Sequence, residues 1–174
     1  LRGGLYFPWD QDDLVARKVL EVERLDHYRA PLINEGGAIH SDGEGTLLVT
    51  EQCLLNRNRN PQITGAQIEA LLKAYTGAAE VVWLGDGVFN DETDGHVDNL
   101  ACFVAPGEVA LLWTDDERDP QHEICLDAWE RLNDARDARG RRFRVHKIPM
   151  PGPLYMSRAE ATGLQTRAGA KPRH

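Results

Sequence analysis

Asn90-Asp91-Glu92-Thr93-Asp94-Gly95-His96-Val97-Asp98 sets four carboxylates and one imidazole around a glycine, then runs into the apolar segment Leu100-Ala101-Cys102-Phe103-Val104. Groups able to do acid–base chemistry thus stand at the mouth of an expected buried strand. With Val97 onward extended, His96 and Asp98 face the same way, because strand side chains alternate with period two. Two residues of strand rise separate them by roughly 6–7 Å, room for a flat polar group between an acid/base and a carboxylate clamp. The competing reading is a solvated acidic turn, since Asp, Asn, Thr and Gly are what turns use.

A second segment changes the balance. Glu35-Gly36-Gly37 ends one apolar run and opens another, Ala38-Ile39-His40. Paired glycines beside a carboxylate allow close backbone approach, although a plain hairpin bend explains them too. After it come a short strand to His40, the turn Ser41-Asp42-Gly43-Glu44-Gly45 and a strand over 46–50. A helical pattern follows over 67–75, with Ile68, Leu71, Leu72 and Tyr75 at helical spacing. Thr64 is its expected N-cap and Gly77 its stop. The strand Val81-Val82-Trp83-Leu84 closes the run.

The same order recurs after His96-Val97-Asp98. A strand to Val104 leads to a turn at Pro106-Gly107 and a strand over 109–113. A helix over 121–138 carries Ile124, Ala128, Trp129 and Leu132 on one face, and a strand over 143–148 ends the copy. These are two strand–strand–helix–strand copies offset by about sixty residues, a period typical of radial or stacked architectures. Upstream, a helix capped by Asp12 or Asp13 and running to Asp26, then a strand over 31–33, reads as the tail of an earlier copy. One partial domain therefore fills 1–174, divided into 1–34, 35–89, 90–150 and a C-terminal extension 151–174. Glu35 and His96 open successive copies, and in a ring of such units equivalent positions converge on the axis.

Composition fits an α/β protein with one core. A chain of 174 residues buries about 70% of its unfolded surface. Hydrophobic and charged fractions of 41% and 28% are those of a globular protein, with no membrane-spanning run and no N-terminal signal. Three cysteines without metal-type spacing point to reduced thiols and a cytoplasmic setting. A net charge of −8 disfavours nucleic acid and suits a cationic substrate. The basic run over 136–144 reads as structural, complementing a helix C-terminus. The tail 166–174 has little apolar content and is expected to fray.

Glu35-Gly36-Gly37-Ala38-Ile39-His40, Asn56-Arg57-Asn58-Arg59-Asn60-Pro61 and the stretch from Asn90 to Phe103 resemble the agmatine deiminases, a branch of the guanidine-modifying pentein superfamily. Tyr6-Phe7-Pro8-Trp9-Asp10 and Pro149-Met150-Pro151-Gly152-Pro153-Leu154-Tyr155 extend the resemblance over 5–163. It implies part of a five-bladed α/β propeller of ββαβ units, about two complete and the tail of a third. The implied reaction hydrolyses the guanidinium of agmatine to N-carbamoylputrescine and ammonia through a cysteine thiouronium, feeding putrescine and polyamine formation. No metal or organic cofactor takes part.

The roles implied are His96 as general acid/base, Asp98 as bidentate guanidinium clamp and Glu35 as the carboxylate orienting His96. Gly36, Gly37 and Asp94 belong to the substrate side, Asp94 chiefly as a loop-shaping residue. The sequence departs from the family in lacking the Gly-Gly-rich Asn-x-His-Cys segment that holds the nucleophile. The N-terminal segment with a second guanidinium-binding aspartate is also missing. Cys102 is expected roughly 20 Å from His96, and Cys53 and Cys125 read as small buried apolar residues. The expectation is half an active site, inactive in isolation, with homo-oligomerisation left open.

Three alternatives remain. A bacterial peptidylarginine deiminase would share Glu35, His96 and Asp98. A metal-dependent hydrolase would use His96, Asp98, Asp94 and Glu92, since oxygen-rich clusters bind hard cations. A non-catalytic fragment would expose an apolar face and associate.

Overall fold

A computed structural model describes residues 10–151 and residue 157. The motif residues 6–9 and 152–155, and the tail 166–174, lie outside the described residues. Two three-stranded sheets, β1-β2-β3 and β4-β5-β6, organise the described residues. In the first, β1 (His40–Ser41) runs antiparallel to β2 (Thr46–Thr50), with His40 opposite Leu48. β2 is parallel to β3 (Glu80–Leu84), with Thr46 opposite Glu80. In the second, β4 (Ala101–Ala105) is antiparallel to β5 (Glu108–Trp113), which is parallel to β6 (Arg144–Pro149). A parallel pair needs a long crossover, and a helix provides it in both sheets.

The single turn α2 (Glu51–Leu54) leaves β2 directly, and α3 (Gly65–Thr76) forms the first crossover. Its start is the expected one. The Thr64 hydroxyl accepts from the Gln67 N–H while the Gln67 side chain accepts from the Thr64 N–H, a reciprocal capping box. Gly77, at φ 76°, ends it in the left-handed region. The second crossover, α5 (Gln121–Asp134), buries Cys125, Ala128 and Leu132. Trp129, expected on that face, is 38% exposed and lies beside Lys147 instead.

All five β2 residues are buried, because both faces of the first sheet are covered. Leu47 and Val49 pack on α3 through Ile68 and Leu72. Leu48 joins Val82 and Leu84 against residues of the second sheet and α5. Polar links reinforce the junction. The Phe103 N–H donates to His40 Nδ1 at 3.2 Å, and Arg131 donates to Glu51 at 2.9 Å.

Four expectations fail in instructive ways. The first helix, α1 (Asp12–Glu23), has Gln11 at its N-cap without a side-chain hydrogen bond; Asp12 and Asp13 lie in its first turn. It stops at Arg24 (φ 56°) rather than reaching Asp26. No strand forms over 31–33, because the buried Asn60 side chain takes the place of a neighbouring strand. Its Oδ1 accepts the Ile33 N–H at 2.9 Å and its Nδ2 donates to the Ile33 carbonyl at 3.0 Å.

The expected strand over 38–40 is reduced to β1, preceded by a 3-10 turn, Gly36–Ala38. The basic run meets the helix end at Arg136, which donates to the Asp134 and Ala135 carbonyls at 3.3 and 2.8 Å. Arg139 and Arg141 instead pair with Glu44 in the β1–β2 turn, and Arg141 also pairs with Asp137, whose side chain is fully buried.

Candidate active site

Glu35 and His96 occupy matching places in the two sheets. Glu35 precedes the 3-10 turn that leads to β1; His96 precedes the single turn α4 (Val97–Leu100) that leads to β4. The expected strand at His96–Val97–Asp98 is therefore helical, and β4 begins at Ala101. The turn at its entrance explains this. Asp94 and Gly95 both take positive φ, 56° and 91°, and the Thr93 hydroxyl accepts the His96 N–H at 3.1 Å. The chain thus enters α4 from a tight bend, and Asp98 lies one residue beyond Val97 on that turn.

The side chains nevertheless converge. A methyl carbon at Gly37 would lie 2.4 Å from His96 Nδ1 and 2.7 and 2.9 Å from the Asp98 carboxylate oxygens. Only a glycine admits both groups there. Gly36 meets nothing within 4 Å, so no protein group crowds it.

His96 is 7% exposed, and its Nε2 lies 3.1 Å from Glu35 Oε2. Burial pushes the Glu35 carboxyl up, but hydrogen bonds from Arg59 and His96, with their charges, hold it below the ordinary range. An ionised carboxylate only accepts, so Nε2 carries the proton of this contact. The exchangeable position is then Nδ1, the atom beside Asp98. Asp98 is exposed, so the pair opens outward over Gly37. Glu35 Oε1 is a buried acceptor without a hydrogen-bond partner among the described residues.

Asp94 accepts from Asn58 Nδ2 at 2.8 Å and lies 4.0 Å from Arg59 Nη1, which makes it a loop anchor. Gly95 is fixed by Thr50, whose hydroxyl donates to its carbonyl at 2.5 Å, and by Gln52, which a Cβ at Gly95 would strike at 2.5 Å. The first sheet thus grips the loop that delivers His96.

Two residues of this site escaped the sequence reading. Arg59 is buried, with Nε 2.6 Å from Glu35 Oε2. Cys53, taken as an apolar filler, places its sulfur with Glu35 and His96, donor atoms all lying within 4.8 Å of one another. The cation-binding set expected from His96, Asp98, Asp94 and Glu92 is not the one gathered. The Glu35–Cys53–His96 trio also fits a cation poorly. A guanidinium already neutralises Glu35, and burial pushes the Cys53 thiol up to about 11. The only signal for Arg59 was its place in Asn56-Arg57-Asn58-Arg59-Asn60-Pro61.

The chain belongs to the Porphyromonas-type peptidyl-arginine deiminase family, whose family model matches residues 2–166. Its relatives include proteins named agmatine deiminase. It is 54% identical over 172 residues to the agmatine deiminase of Pseudomonas aeruginosa strain LESB58, covering 98% of this chain and 47% of the relative. The solved agmatine deiminase of Enterococcus faecalis superposes with a TM-score of 0.86 at 46% identity, over 99% of this chain and 47% of that one. A cysteine-to-serine variant of C. jejuni agmatine deiminase with substrate bound gives 0.78 at 31% identity, over 90% and 46%. The chain spans about half the length of the curated relatives it matches.

Proposed function

We propose that the protein carrying this chain is an agmatine deiminase. The observation that carries the reading is the meeting of Glu35, His96 and Asp98 around Gly37, in a chain that shares more than half its residues with a protein of that name. Asp98 accepts two guanidinium N–H bonds, a bidentate charge-assisted contact that fixes the carbon for attack. A cysteine thiolate from outside these 174 residues adds to that carbon. His96 Nδ1 gives its proton to the departing ammonia. The same atom then takes a proton from the water that attacks the thiouronium, and the tetrahedral adduct expels the thiolate and loses its remaining hydroxyl proton to ammonia, leaving N-carbamoylputrescine.

The cysteines of this chain do not suit the attack. Burial raises the Cys53 and Cys125 thiols, and Cys102 lies on β4 beyond the α4 turn. The substrate complex of the C. jejuni variant supports a cysteine nucleophile. We also read the two sheets as blades of a five-bladed propeller, with 35–89 and 90–150 as complete blades and 1–34 as the tail of another. The matching strand orders and pairing of the two sheets support this. A cytoplasmic setting and a role in putrescine formation follow from the same reading. Among the described residues, no helix is long and apolar enough to cross a membrane.

The family's description favours a second substrate class, arginine within peptides. Turnover of agmatine, free arginine and a peptidyl-arginine by the full-length protein separates the two. Agmatine is expected to be hydrolysed fastest. His96→Ala and Asp98→Ala are each expected to lower kcat/KM by about 10²–10⁴-fold with the fold intact. Substantial turnover by either variant would remove that residue from the mechanism.

A further inference from the structure

Arg59 has no part in the chemistry above, yet its environment is built around it. Its side chain is 1% exposed although it sits in the loop between α2 and α3. Nε donates to Glu35 Oε2 at 2.6 Å, and Nη2 donates to the Thr93 carbonyl at 2.6 Å. Nη1 lies 3.3 Å from Asn58 Oδ1 and 4.0 Å from Asp94 Oδ2. One planar cation therefore spans the two segments that deliver Glu35 and His96. It also shares the Glu35 oxygen that receives His96 Nε2 at 3.1 Å.

We propose that Arg59 is a positioning residue for deimination, locking Glu35 and the loop before His96 so that the imidazole holds Nε2 on the carboxylate and Nδ1 over Gly37. The inference rests on the agmatine deiminase reading. An arginine suits the task because its rigid fork serves two acceptors in different directions; a lysine supplies the charge from one point only. Asp98, which would hold the substrate, does not touch Arg59, so the effect belongs to turnover and not to binding. Cys53 and Asp94 also stand beside the pair, but it is Arg59 that hydrogen-bonds to both segments.

The test uses the full-length protein with Arg59→Lys, Arg59→Met, Glu35→Gln and the double variant Arg59→Met/Glu35→Gln. Arg59→Lys is expected to lower kcat by about 10–100-fold, the scale of a small misplacement of a catalytic group. KM for agmatine should change by less than about threefold, since substrate binding is untouched. Arg59→Met should be slower still. The double variant should be no slower than the slower single one, because both act through the same carboxylate.

In the ¹⁵N spectrum of histidine-labelled protein, the His96 signals should move in Arg59→Lys while the other histidines keep theirs. Wild-type kcat in Arg59→Lys, or losses that multiply in the double variant, would overturn the proposal. If the wild type does not hydrolyse agmatine, the functional reading fails on its own. The positioning claim is then decided by the His96 spectrum, where unchanged signals sink it. If Arg59→Met does not fold, the lysine variant and the doubly uncharged variant decide.

Discussion

Gly37 is where the two halves of the site touch, and its lack of a side chain has a measurable consequence. Gly37→Ala would push a methyl into His96 Nδ1 and Asp98 together. A displacement near 1 Å at a reacting group is expected to cost about 10²-fold in kcat/KM. Gly36→Ala, facing open space one residue earlier, should leave kinetics unchanged. Steady-state kinetics on both variants checks this, and equal rates would contradict the account of Gly37. Glu35 gives a pH signature. Its carboxyl is pushed up by burial but held below the ordinary range by Arg59 and His96.

A depressed carboxylate binds protons more readily in the unfolded chain, so its contribution is complete above the unfolded value of about 4.3. That contribution disappears as pH falls through the lower folded value. The Tm of the wild type should therefore drop more steeply below about pH 4.3 than that of Glu35→Gln. Parallel curves would contradict the assignment. The meeting of Glu35 and His96 was legible from their places in the repeat, whereas Asp98 was placed by strand alternation that the α4 turn replaces. Arg59 and Cys53 were not legible, because an arginine among asparagines and a lone cysteine carry no local pattern; tertiary contacts alone give them their meaning.

At the scale of elements, strong periodicity and capping chemistry were readable and single turns were not. β2 came from its place after the turn over 41–45, and α3 from a 3.6-residue pattern and the Thr64/Gly77 pair. Thr64 is exposed, so Thr64→Ala should cost only the cap, about 1 kcal/mol, seen as a lower urea midpoint. No change would mean that the capping box contributes nothing. The four residues of α4 are too few to show any period, and Val97 before an apolar run mimics a strand start. The missing strand over 31–33 has another cause, since its hydrogen bonds go to the Asn60 amide 27 residues away.

The loop after α5 is likewise held by one side chain. Asp137 Oδ1 accepts from the Arg139 and Arg141 N–H groups at 2.9 and 2.8 Å. Asp137→Ala should therefore destabilise by about 2–3 kcal/mol. Calorimetry showing less than about half that would place the loop's stability elsewhere.

For the whole molecule, the junction between the sheets matters most. Leu48 is fully buried and faces the second sheet, so Leu48→Ala should cost about 2–5 kcal/mol. α1 stands apart from that core. None of its residues is buried, and Leu14, Val15, Val19 and Val22 are 43–78% exposed. An exposed apolar face was expected under the non-catalytic alternative, because a repeat unit cannot bury its own face. The two sheets were likewise legible as copies. Their closure into a ring lies beyond what an internal repeat of two can specify.

In the proposed mechanism Glu35 and His96, each presented by the entry to its own sheet, act as one catalytic pair. The most direct measurement is the release of N-carbamoylputrescine from agmatine by full-length wild type, Glu35→Gln and His96→Ala. Rapid release by the wild type, a strong loss in Glu35→Gln and a larger one in His96→Ala are expected. Glu35→Gln turning over at the wild-type rate, with His96→Ala inactive, would show that the imidazole works without its acid and would contradict that pairing.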